Sequence, residues 1–290
     1  MHPPTETAPA KVNLTLRMTG RRSDGYHELE SLVAFARVGD RLDFAPGDAL
    51  ALDVAGPFAA AAGNLTDNLV LKAARELQRR APDLALGRFY LLKELPVAAG
   101  LGGGSADAAA ALRLIARANG LALDDPRLCA AAGAIGADVP VCLDPRARVM
   151  RGIGENLSAP LALPPLPAVL VNPGVPLATK DVFAAFARGG AAKAAAPFDA
   201  AAVINASVET ALAALAGGTN DLEAAAISLC PAVADVLTAL AATPGYRLAR
   251  MSGSGATCFG LYSSEAAAAA AAQAIAGAHG RWWVRATMLG

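Results

Sequence analysis

A glycine-rich segment directly before an alanine-rich helix constrains this 290-residue chain more than any other feature. The segment Pro96–Asp107 reads Pro-Val-Ala-Ala-Gly-Leu-Gly-Gly-Gly-Ser-Ala-Asp. Glycines lack Cβ atoms, so their N–H groups can approach an anion closely, and the following helix adds unpaired N–H groups and the positive end of its dipole. With Ser105 at the mouth of the helix, the pattern predicts a phosphate-binding loop. A tight turn without a ligand is the alternative, but a turn does not require so many glycines.

The common nucleotide-binding loops do not fit this segment. The P-loop pattern needs a glycine followed by lysine, and none occurs here. The dinucleotide fingerprint fails because its third glycine would fall on Ser105 or Asp107, depending on the register. The His-Arg-Asp and Asp-Phe-Gly motifs of protein kinases are also missing from the sequence. The loop therefore indicates a different class of nucleotide-binding protein.

Composition excludes several functional classes. The formal charge is zero, with 25 basic and 25 acidic residues, which argues against a broad nucleic-acid-binding surface. No apolar run approaches the roughly 20 residues that a membrane-spanning helix needs. The segment Met1–Ala10 lacks the basic start and apolar centre of a secretory signal. We therefore expect a cytoplasmic protein with no membrane or nucleic-acid partner and no obligate protein partner.

The cysteines and histidines do not indicate a metal centre built by the protein. The cysteines are scattered, mostly among apolar neighbours, and form no Cys-x-x-Cys pair: Cys129, Cys142, Cys230 and Cys258. This pattern predicts buried, reduced thiols. The histidines lie too far apart in sequence for a local zinc site: His2, His27 and His279.

Hydrophobic periodicity predicts alternating helices and strands. Residues Lys11–Arg17 alternate apolar and polar as a half-buried strand does, and Asn68–Arg80 repeats leucine and alanine at helical spacing. The alanine-rich run from Ser105 to Asn119 predicts a helix that ends at Gly120. Continued alternation through the second half of the chain predicts an α+β fold.

Three other short segments carry polar residues of possible function, and each has a simpler explanation when taken alone. Lys11 and Asn13 lie two apart, on one face of the predicted strand, but a surface lysine is equally common. Asp138 lies before a proline among small residues, where an acid is often a turn-former or cap. The segment Met251–Ala256 contains Gly253 and Gly255 and would alone be an ordinary hairpin loop.

Taken together and in this order, these segments resemble the motifs of the GHMP kinase superfamily. The set is Pro-Ala-Lys-x-Asn-Leu, Pro-x-x-x-Gly-Leu-Gly-Gly-Gly-Ser-Ala, Gly-Ala-Asp-Val-Pro and Ser-Gly-Ser-Gly-Ala. Between the first two motifs, Gly20–Glu28 is similar to a segment particular to those members whose small-molecule substrate carries a cytidine diphosphate group. The resemblance runs from about Ala8 to beyond Met251.

The resemblance implies a two-domain α+β GHMP-kinase fold with the active site in the inter-domain cleft. We expect an N-terminal domain over residues 1–150 and a C-terminal domain over 151–290. The implied reaction moves the γ-phosphoryl group of the co-substrate ATP to the tertiary C2 hydroxyl of a methylerythritol unit linked to cytidine diphosphate. Mg²⁺ is expected because it bridges ATP oxygens, and Ser105 is the only ligand we would name.

The resemblance also implies roles for individual residues. Asp138 would act as general base, and Lys11 would stabilise charge around the base and the transferring phosphoryl group. The residues implied for substrate binding are Asn13, Tyr26, His27, Thr179 and Phe183, of which Tyr26, His27 and Phe183 would hold the cytosine ring. The residues implied for binding ATP are Asn68, Val70, Lys93, Pro96, Gly100, Leu101, Gly102, Gly103, Gly104, Ser105, Ala106, Gly253 and Gly255.

The residues leave two alternative functions open. Another GHMP kinase, with homoserine or mevalonate as substrate, would share the glycine loop, but a small aliphatic substrate needs no aromatic platform such as Tyr26, His27 and Phe183. A non-catalytic nucleotide-binding protein would also keep the loop. Retention of both Lys11 and Asp138 disfavours that class, because binding alone requires no base. His27, considered without its segment, would be an ordinary surface histidine.

Overall fold

The structure is a computed structural model that describes residues 3–23, 25–47, 49–189 and 197–290. Asp24, within the predicted substrate segment, and His2 lie outside the described residues. The chain divides into two compact units. The first comprises Met1–Lys11, Gly39–Val97 and Gly102–Pro145, and the second comprises Val12–Val38, Ala98–Leu101 and Arg146–Gly290.

Helices and strands alternate along the described chain, which confirms the predicted α+β class. The strands are β1 (Thr5–Asn13), β2 (Arg17–Arg21), β3 (His27–Pro46), β4 (Ala51–Ala55), β5 (Gly87–Leu92), β6 (Arg148–Gly152), β7 (Asn156–Leu157), β8 (Leu166–Asn172), β9 (Tyr246–Met251), β10 (Cys258–Tyr262) and β11 (Trp283–Leu289). The helices are α1 (Leu69–Arg80), α2 (Gly103–Ala118), α3 (Pro126–Ile135), α4 (Val139–Leu143), α5 (Thr179–Arg188), α6 (Val208–Ala216), α7 (Glu223–Leu229), α8 (Ala232–Ala241) and α9 (Glu265–Ala278).

In the first unit, helices pack around the alanine-rich helix α2. Strand β5 pairs antiparallel with the second half of β3 and parallel with β4. Helix α1 buries an apolar face that includes Val70 and Leu77, because these residues recur at helical spacing. Alanines occupy most of the buried positions of α2, and their small side chains let α1 and α4 approach its backbone.

In the second unit, the fully buried strand β8 lies between β10 and β11, antiparallel to both. Its apolar sequence Leu-Pro-Ala-Val-Leu-Val-Asn fits a strand that is covered on both faces. Strand β11 also pairs with β3 through Leu289 and Ala36. The apolar faces of α8 and α9 join the buried core on this sheet.

The predicted strand Lys11–Arg17 is wrong in its boundaries. Strand β1 ends at Asn13, and β2 begins at Arg17. In between, the Thr15 hydroxyl accepts a hydrogen bond from Leu32 N, and the Ser31 hydroxyl donates to Thr15 O. Leu14 N and Thr15 N both donate to Leu32 O here, so the regular ladder is interrupted, and Leu16 forms an isolated bridge with Asn220.

The prediction of buried thiols is correct for three cysteines and wrong for Cys129. Helix α3 buries Leu128, Ala131 and Ala132, and Cys129 lies off that face and is exposed. All four cysteines are free thiols. Within the described residues, no helix combines the length and apolar character needed to cross a bilayer.

Candidate active site

A lysine and an aspartate that are 127 residues apart in sequence form an ion pair in the first unit. Lys11 Nζ donates to Asp138 Oδ1 over 3.1 Å. The lysine side chain is buried, whereas the carboxylate is 39% exposed and accessible to a ligand. The structure thus brings together the two residues that the sequence predicts as catalytic.

The turn between α3 and α4 positions Asp138. Helix α3 ends at Ile135, and Val139 N donates to Gly136 O over 3.1 Å within the connecting turn. Asp138 is the N-cap residue of α4, and Pro140 lies in the first turn, where its missing N–H costs no hydrogen bond. The buried Val139, Val141 and Cys142 anchor this short helix.

The predicted phosphate loop lies at the start of α2. Gly102 is the N-cap in a left-handed conformation with φ of +62°, and the helix begins at Gly103, two residues before the predicted start at Ser105. A Cβ atom on Gly102 would lie 3.2 Å from Lys11 Cε, so glycine lets this backbone pack against the Lys11 side chain. The first helical hydrogen bond runs from Ala106 N to Gly102 O. The preceding N–H groups of the first turn have no partner within the helix.

Lys93 lies beneath this helix start and is held by two buried carboxylates. Its Nζ atom donates to Asp40 Oδ2 over 2.5 Å and to Asp107 Oδ2 over 2.7 Å. Asp40 Oδ1 accepts from the N–H groups of residues 94 and 95, which fixes the chain after β5. A Cβ atom on Gly103 would lie 3.2 Å from Lys93 Nζ. Sequence reasoning missed both aspartates, although Asp107 lies one helical turn after Gly103.

One ammonium group cannot neutralise two buried carboxylates, and the titration of Asp107 reflects this imbalance. Burial raises the pKa of Asp107 to about 7, against the opposing attraction of Lys93. Burial alone would lower the pKa of Lys93, but the attraction of Asp107 and Asp40 outweighs it and raises that pKa. Asp107 Oδ1 is buried without a hydrogen-bond partner among the described residues. Burial in this cluster therefore favours the protonated form of Asp107.

Asp107→Asn is expected to flatten the dependence of stability on pH. Because the folded-state pKa of about 7 exceeds the ordinary value of 3.8, the folded protein binds more protons between these pH values. The free energy of unfolding should therefore fall as pH rises from about 4 to about 7. Asparagine cannot ionise. In the variant, the free energy of unfolding measured with urea should therefore no longer show this fall between about pH 4 and 7.

Asp125→Asn is the matched control for that prediction. Asp125 caps α3, and hydrogen bonds from Arg127 lower its pKa to about 2, outside the relevant window. Asparagine caps helices about as well as aspartate. The control should keep the wild-type slope between pH 4 and 7, and an unchanged slope in Asp107→Asn would contradict the assignment.

In the second unit, the glycine turn after β9 contacts Gly100, where the predicted phosphate loop begins. The buried Ser252 hydroxyl donates to Gly100 O over 2.9 Å and accepts from Asn13 N over 3.1 Å. Gly100 has φ of +76°, and a Cβ atom there would lie only 2.3 Å from Ser252 O. Sequence reasoning missed Ser252, whose position inside the Ser-Gly-Ser-Gly-Ala motif was the available signal.

Asn13, Gly253 and Gly255 lie next to the contact between Ser252 and Gly100. The Asn13 amide donates to Ser31 Oγ over 2.7 Å, which fixes its side chain against β3. A Cβ atom on Gly253 would lie 3.3 Å from Asn13 Oδ1 and 3.2 Å from Gly100 O. Gly253 and Gly255 both have positive φ, at +56° and +83°. The turn therefore requires glycine at both positions.

An aromatic cluster forms where β3 begins. The His27 ring lies 5.6 Å from Phe183 and 5.7 Å from Phe186, both on α5. Burial, and then the charge of Arg21, lowers the pKa of His27, so its ring is mainly neutral at pH 7. Tyr26 is 62% exposed. The structure thus brings His27 and Phe183 together and adds Phe186, which sequence reasoning missed although it follows Phe183 by three residues on one helix face.

The other predicted site residues have identifiable local roles. Asn68 caps α1 by accepting from Val70 N over 2.9 Å, and the Val70 side chain is buried. Thr179 Oγ1 lies 2.9 Å from Ser254 Oγ. Pro96, Leu101 and Ala106 are buried, Ser105 is partly buried and Gly104 is exposed. Their binding roles, and the single cleft expected to contain both sets of residues, stay predictions.

The sequence of this chain matches known protein families and individual relatives. The GHMP kinases N terminal domain matches residues 68–144, and the GHMP kinases C terminal domain matches residues 200–281. A 4-diphosphocytidyl-2-C-methyl-D-erythritol kinase of Rhodopseudomonas palustris is 58% identical over 289 residues, covering 98% of this chain and 96% of that protein. A protein of the same name from Methylobacterium radiotolerans is 57% identical over 286 residues, covering 98% of each chain.

Solved structures agree with these sequence matches. A crystal structure of 4-(cytidine 5'-diphospho)-2C-methyl-D-erythritol kinase has a TM-score of 0.82 at 37% identity and covers 99% of each chain. The homoserine kinase of Cytophaga hutchinsonii has a TM-score of 0.68 at 20% identity, covering 96% of this chain and 92% of that one, and shows the shared fold alone. The predicted GHMP-kinase fold is thereby confirmed. The chain belongs to the 4-diphosphocytidyl-2-C-methyl-D-erythritol kinase family of the GHMP kinases.

Proposed function

We propose that this protein transfers the γ-phosphoryl group of ATP to the C2 hydroxyl of 4-diphosphocytidyl-2-C-methyl-D-erythritol. The products are the 2-phosphate and ADP, and the reaction belongs to the non-mevalonate route to isoprenoid precursors. The observation that carries the proposal is the 3.1 Å Lys11–Asp138 pair, which packs against the glycine N-cap of α2. The names of relatives at 57–58% identity support it.

The reaction requires a proton acceptor, which Asp138 provides. A tertiary alcohol must lose its proton as its oxygen attacks phosphorus, and the partly exposed Asp138 carboxylate accepts it as general base. Lys11 orients the carboxylate through its hydrogen bond and stabilises the negative charge of the transferring group. Asn13, held by Ser31, orients the substrate. Phosphoryl transfer otherwise depends mainly on positioning and charge neutralisation.

The loop and the helix start fit a nucleotide phosphate. Gly102 and Gly103 approach Lys11 and Lys93 so closely that a Cβ atom would crowd either lysine side chain. The loop thus presents backbone N–H groups instead of side chains, as an anion cradle needs. Residues 100–106 would bind the phosphates, and Asn68, Val70, Lys93 and Pro96 would lie around the nucleotide. Gly253 and Gly255 would complete this site.

Mg²⁺ is part of the proposal, with Ser105 as its protein ligand. Ser105 lies in the first turn of α2 and is partly buried. The described residues contain no cluster of three or more His, Cys, Asp or Glu side chains able to hold a metal. That fits Mg²⁺ in kinases, which takes one or two protein ligands and the substrate phosphates. When bound, Mg²⁺ neutralises phosphate charge.

The aromatic cluster supports a substrate that carries cytidine. Neutral His27 can both donate and accept a hydrogen bond at a pyrimidine edge, and Phe183 offers a face for stacking. Tyr26 and Thr179 would complete this pocket. Homoserine and mevalonate kinases share the fold at 20% identity or less, so their likeness shows the fold alone.

The family matches at 68–144 and 200–281 fall on either side of the proposed domain boundary at residue 150, whereas residues 12–38 and 98–101 belong to the second compact unit. A cytoplasmic location stays a prediction.

ADP release in the presence of ATP and Mg²⁺ tests the proposed function. We expect turnover with 4-diphosphocytidyl-2-C-methyl-D-erythritol and none with homoserine, mevalonate or unconjugated methylerythritol phosphate. Turnover with another alcohol instead would keep the kinase but reject the cytidine pocket. Absence of turnover with all four compounds would favour a non-catalytic nucleotide-binding protein.

A further inference from the structure

We infer that Arg113 is a positioning residue for the Lys11–Asp138 pair, because its guanidinium joins the strand that carries Lys11 to the helix that follows Asp138. This inference rests on the proposed function, in which the pair performs proton transfer. Arg113 touches neither member of the pair in the hydrogen bonds of the structure and would act through the backbone that holds them.

Arg113 lies on α2 with only 7% of its surface exposed. Its Nη1 atom donates to Cys142 O on α4 over 2.6 Å, and Nη2 donates to Thr7 O on β1 over 2.8 Å. Its Nε atom donates to Glu6 Oε2 over 2.9 Å. A single planar group therefore tethers three elements of the first unit, α2, α4 and β1, through separate donors.

The tethered carbonyls are closely coupled to the catalytic side chains. Thr7 precedes Lys11 by four residues on β1, about 13 Å along a regular strand and on the same face. Cys142 follows Asp138 by four residues, about one turn of helix α4. Thr7 and Lys11 thus share one strand, and Asp138 and Cys142 belong to one short helix and its N-cap. Loss of either carbonyl contact should therefore change the separation of Lys11 and Asp138.

Glu6 neutralises the buried guanidinium group of Arg113. A buried guanidinium must be paired, and Glu6, itself largely buried, supplies the counter-charge. Arg117, one helical turn further along α2, pairs with the other oxygen of Glu6 but is 58% exposed. Arg117 thus shares the carboxylate without contacting β1 or α4 carbonyls in the hydrogen bonds of the structure. It provides a matched control.

Steady-state kinetics of Arg113→Lys, Arg113→Met and Arg117→Met test the inference below the unfolding temperature of every variant. Since a displacement of about 1 Å can cost about 100-fold in rate, Arg113→Met should lower kcat by about that factor while KM for both substrates changes less than about threefold. Lysine cannot reach both carbonyls and Glu6 in the same geometry, so Arg113→Lys should lose about tenfold. Arg117→Met should keep the wild-type kcat.

A crystal structure of Arg113→Lys separates this inference from the proposed function. The inference predicts that the Lys11 Nζ–Asp138 Oδ1 distance departs from 3.1 Å in the variant. Folded Arg113 variants with wild-type kcat and an unchanged distance would overturn it, and a lowered melting temperature alone would show a purely structural role. If the wild-type protein does not turn over any substrate, the proposed function fails, and the distance alone then decides the positioning role. If Arg113→Met does not fold, Arg113→Lys carries the test.

Discussion

Replacing Asp138 with asparagine is expected to lower kcat by about 10² to 10⁴, the usual contribution of a general base. Asparagine has nearly the same size and can accept the hydrogen bond from Lys11 through its amide oxygen, so the geometry at the start of α4 should persist. It cannot take a proton from the C2 hydroxyl at neutral pH. KM for ATP should therefore stay within a few-fold of wild type, because the phosphate loop is untouched.

The measurement is steady-state ADP release together with a direct binding titration of ATP. Asp124→Asn, at an exposed position of the same chain, is the matched control and should retain full activity. If Asp138→Asn kept more than about a tenth of the wild-type kcat, another group would have to accept the proton, and the assignment of the base would be wrong.

Lys11→Met should lower kcat by about 10² to 10³, the range found when one group that stabilises transition-state charge is removed. Methionine retains much of the side-chain volume against Gly102 but leaves the Asp138 carboxylate without the ammonium that orients it. KM for ATP should rise as well, because Lys11 lies beside Gly102, the N-cap of the helix proposed to bind the ATP phosphates. Lys72→Met, which removes a half-exposed lysine paired with Asp67, is the control.

The double variant distinguishes a coupled pair from two independent contributions. Residues that act as a unit show strongly non-additive losses, so Lys11→Met with Asp138→Asn should be about as slow as the slower single variant. A loss equal to the product of the two single losses would mean that Lys11 acts without Asp138. That result would contradict the paired mechanism.

The features that could be predicted from sequence are those encoded by local pattern. The glycines of the loop and the alanines of α2 predict a helix with an anion-binding start. The structure confirms the helix, over Gly103–Ala118 instead of Ser105 to Asn119, and anion binding stays a prediction. The helix α1 is confirmed because its apolar spacing covers three turns. Lys11 and Asp138 were matched by short motifs, but only the fold brings them to 3.1 Å.

The supporting contacts could not be predicted because they depend on long-range packing. Asp40 reaches Lys93 across 53 residues, and Ser252 reaches Gly100 across 152. Neither residue stands out in its own segment, since one aspartate in a strand and one serine in a glycine turn are common. The break between β1 and β2 was missed for a related reason. Leu14 N and Thr15 N share the single acceptor Leu32 O, and the hydroxyls of Thr15 and Ser31 bond across the same point, so the regular ladder is interrupted there.

The proposed reaction places the phosphoryl group on one particular oxygen, at C2, and ³¹P and ¹³C NMR of the product show which oxygen receives it. Incubation of 4-diphosphocytidyl-2-C-methyl-D-erythritol with ATP, Mg²⁺ and the enzyme should give a new phosphate monoester signal coupled to the C2 carbon, in equal amount to the ADP formed. The cytidine diphosphate resonances should remain. Phosphate on another hydroxyl, or ADP released with inorganic phosphate and unchanged substrate, would contradict the account.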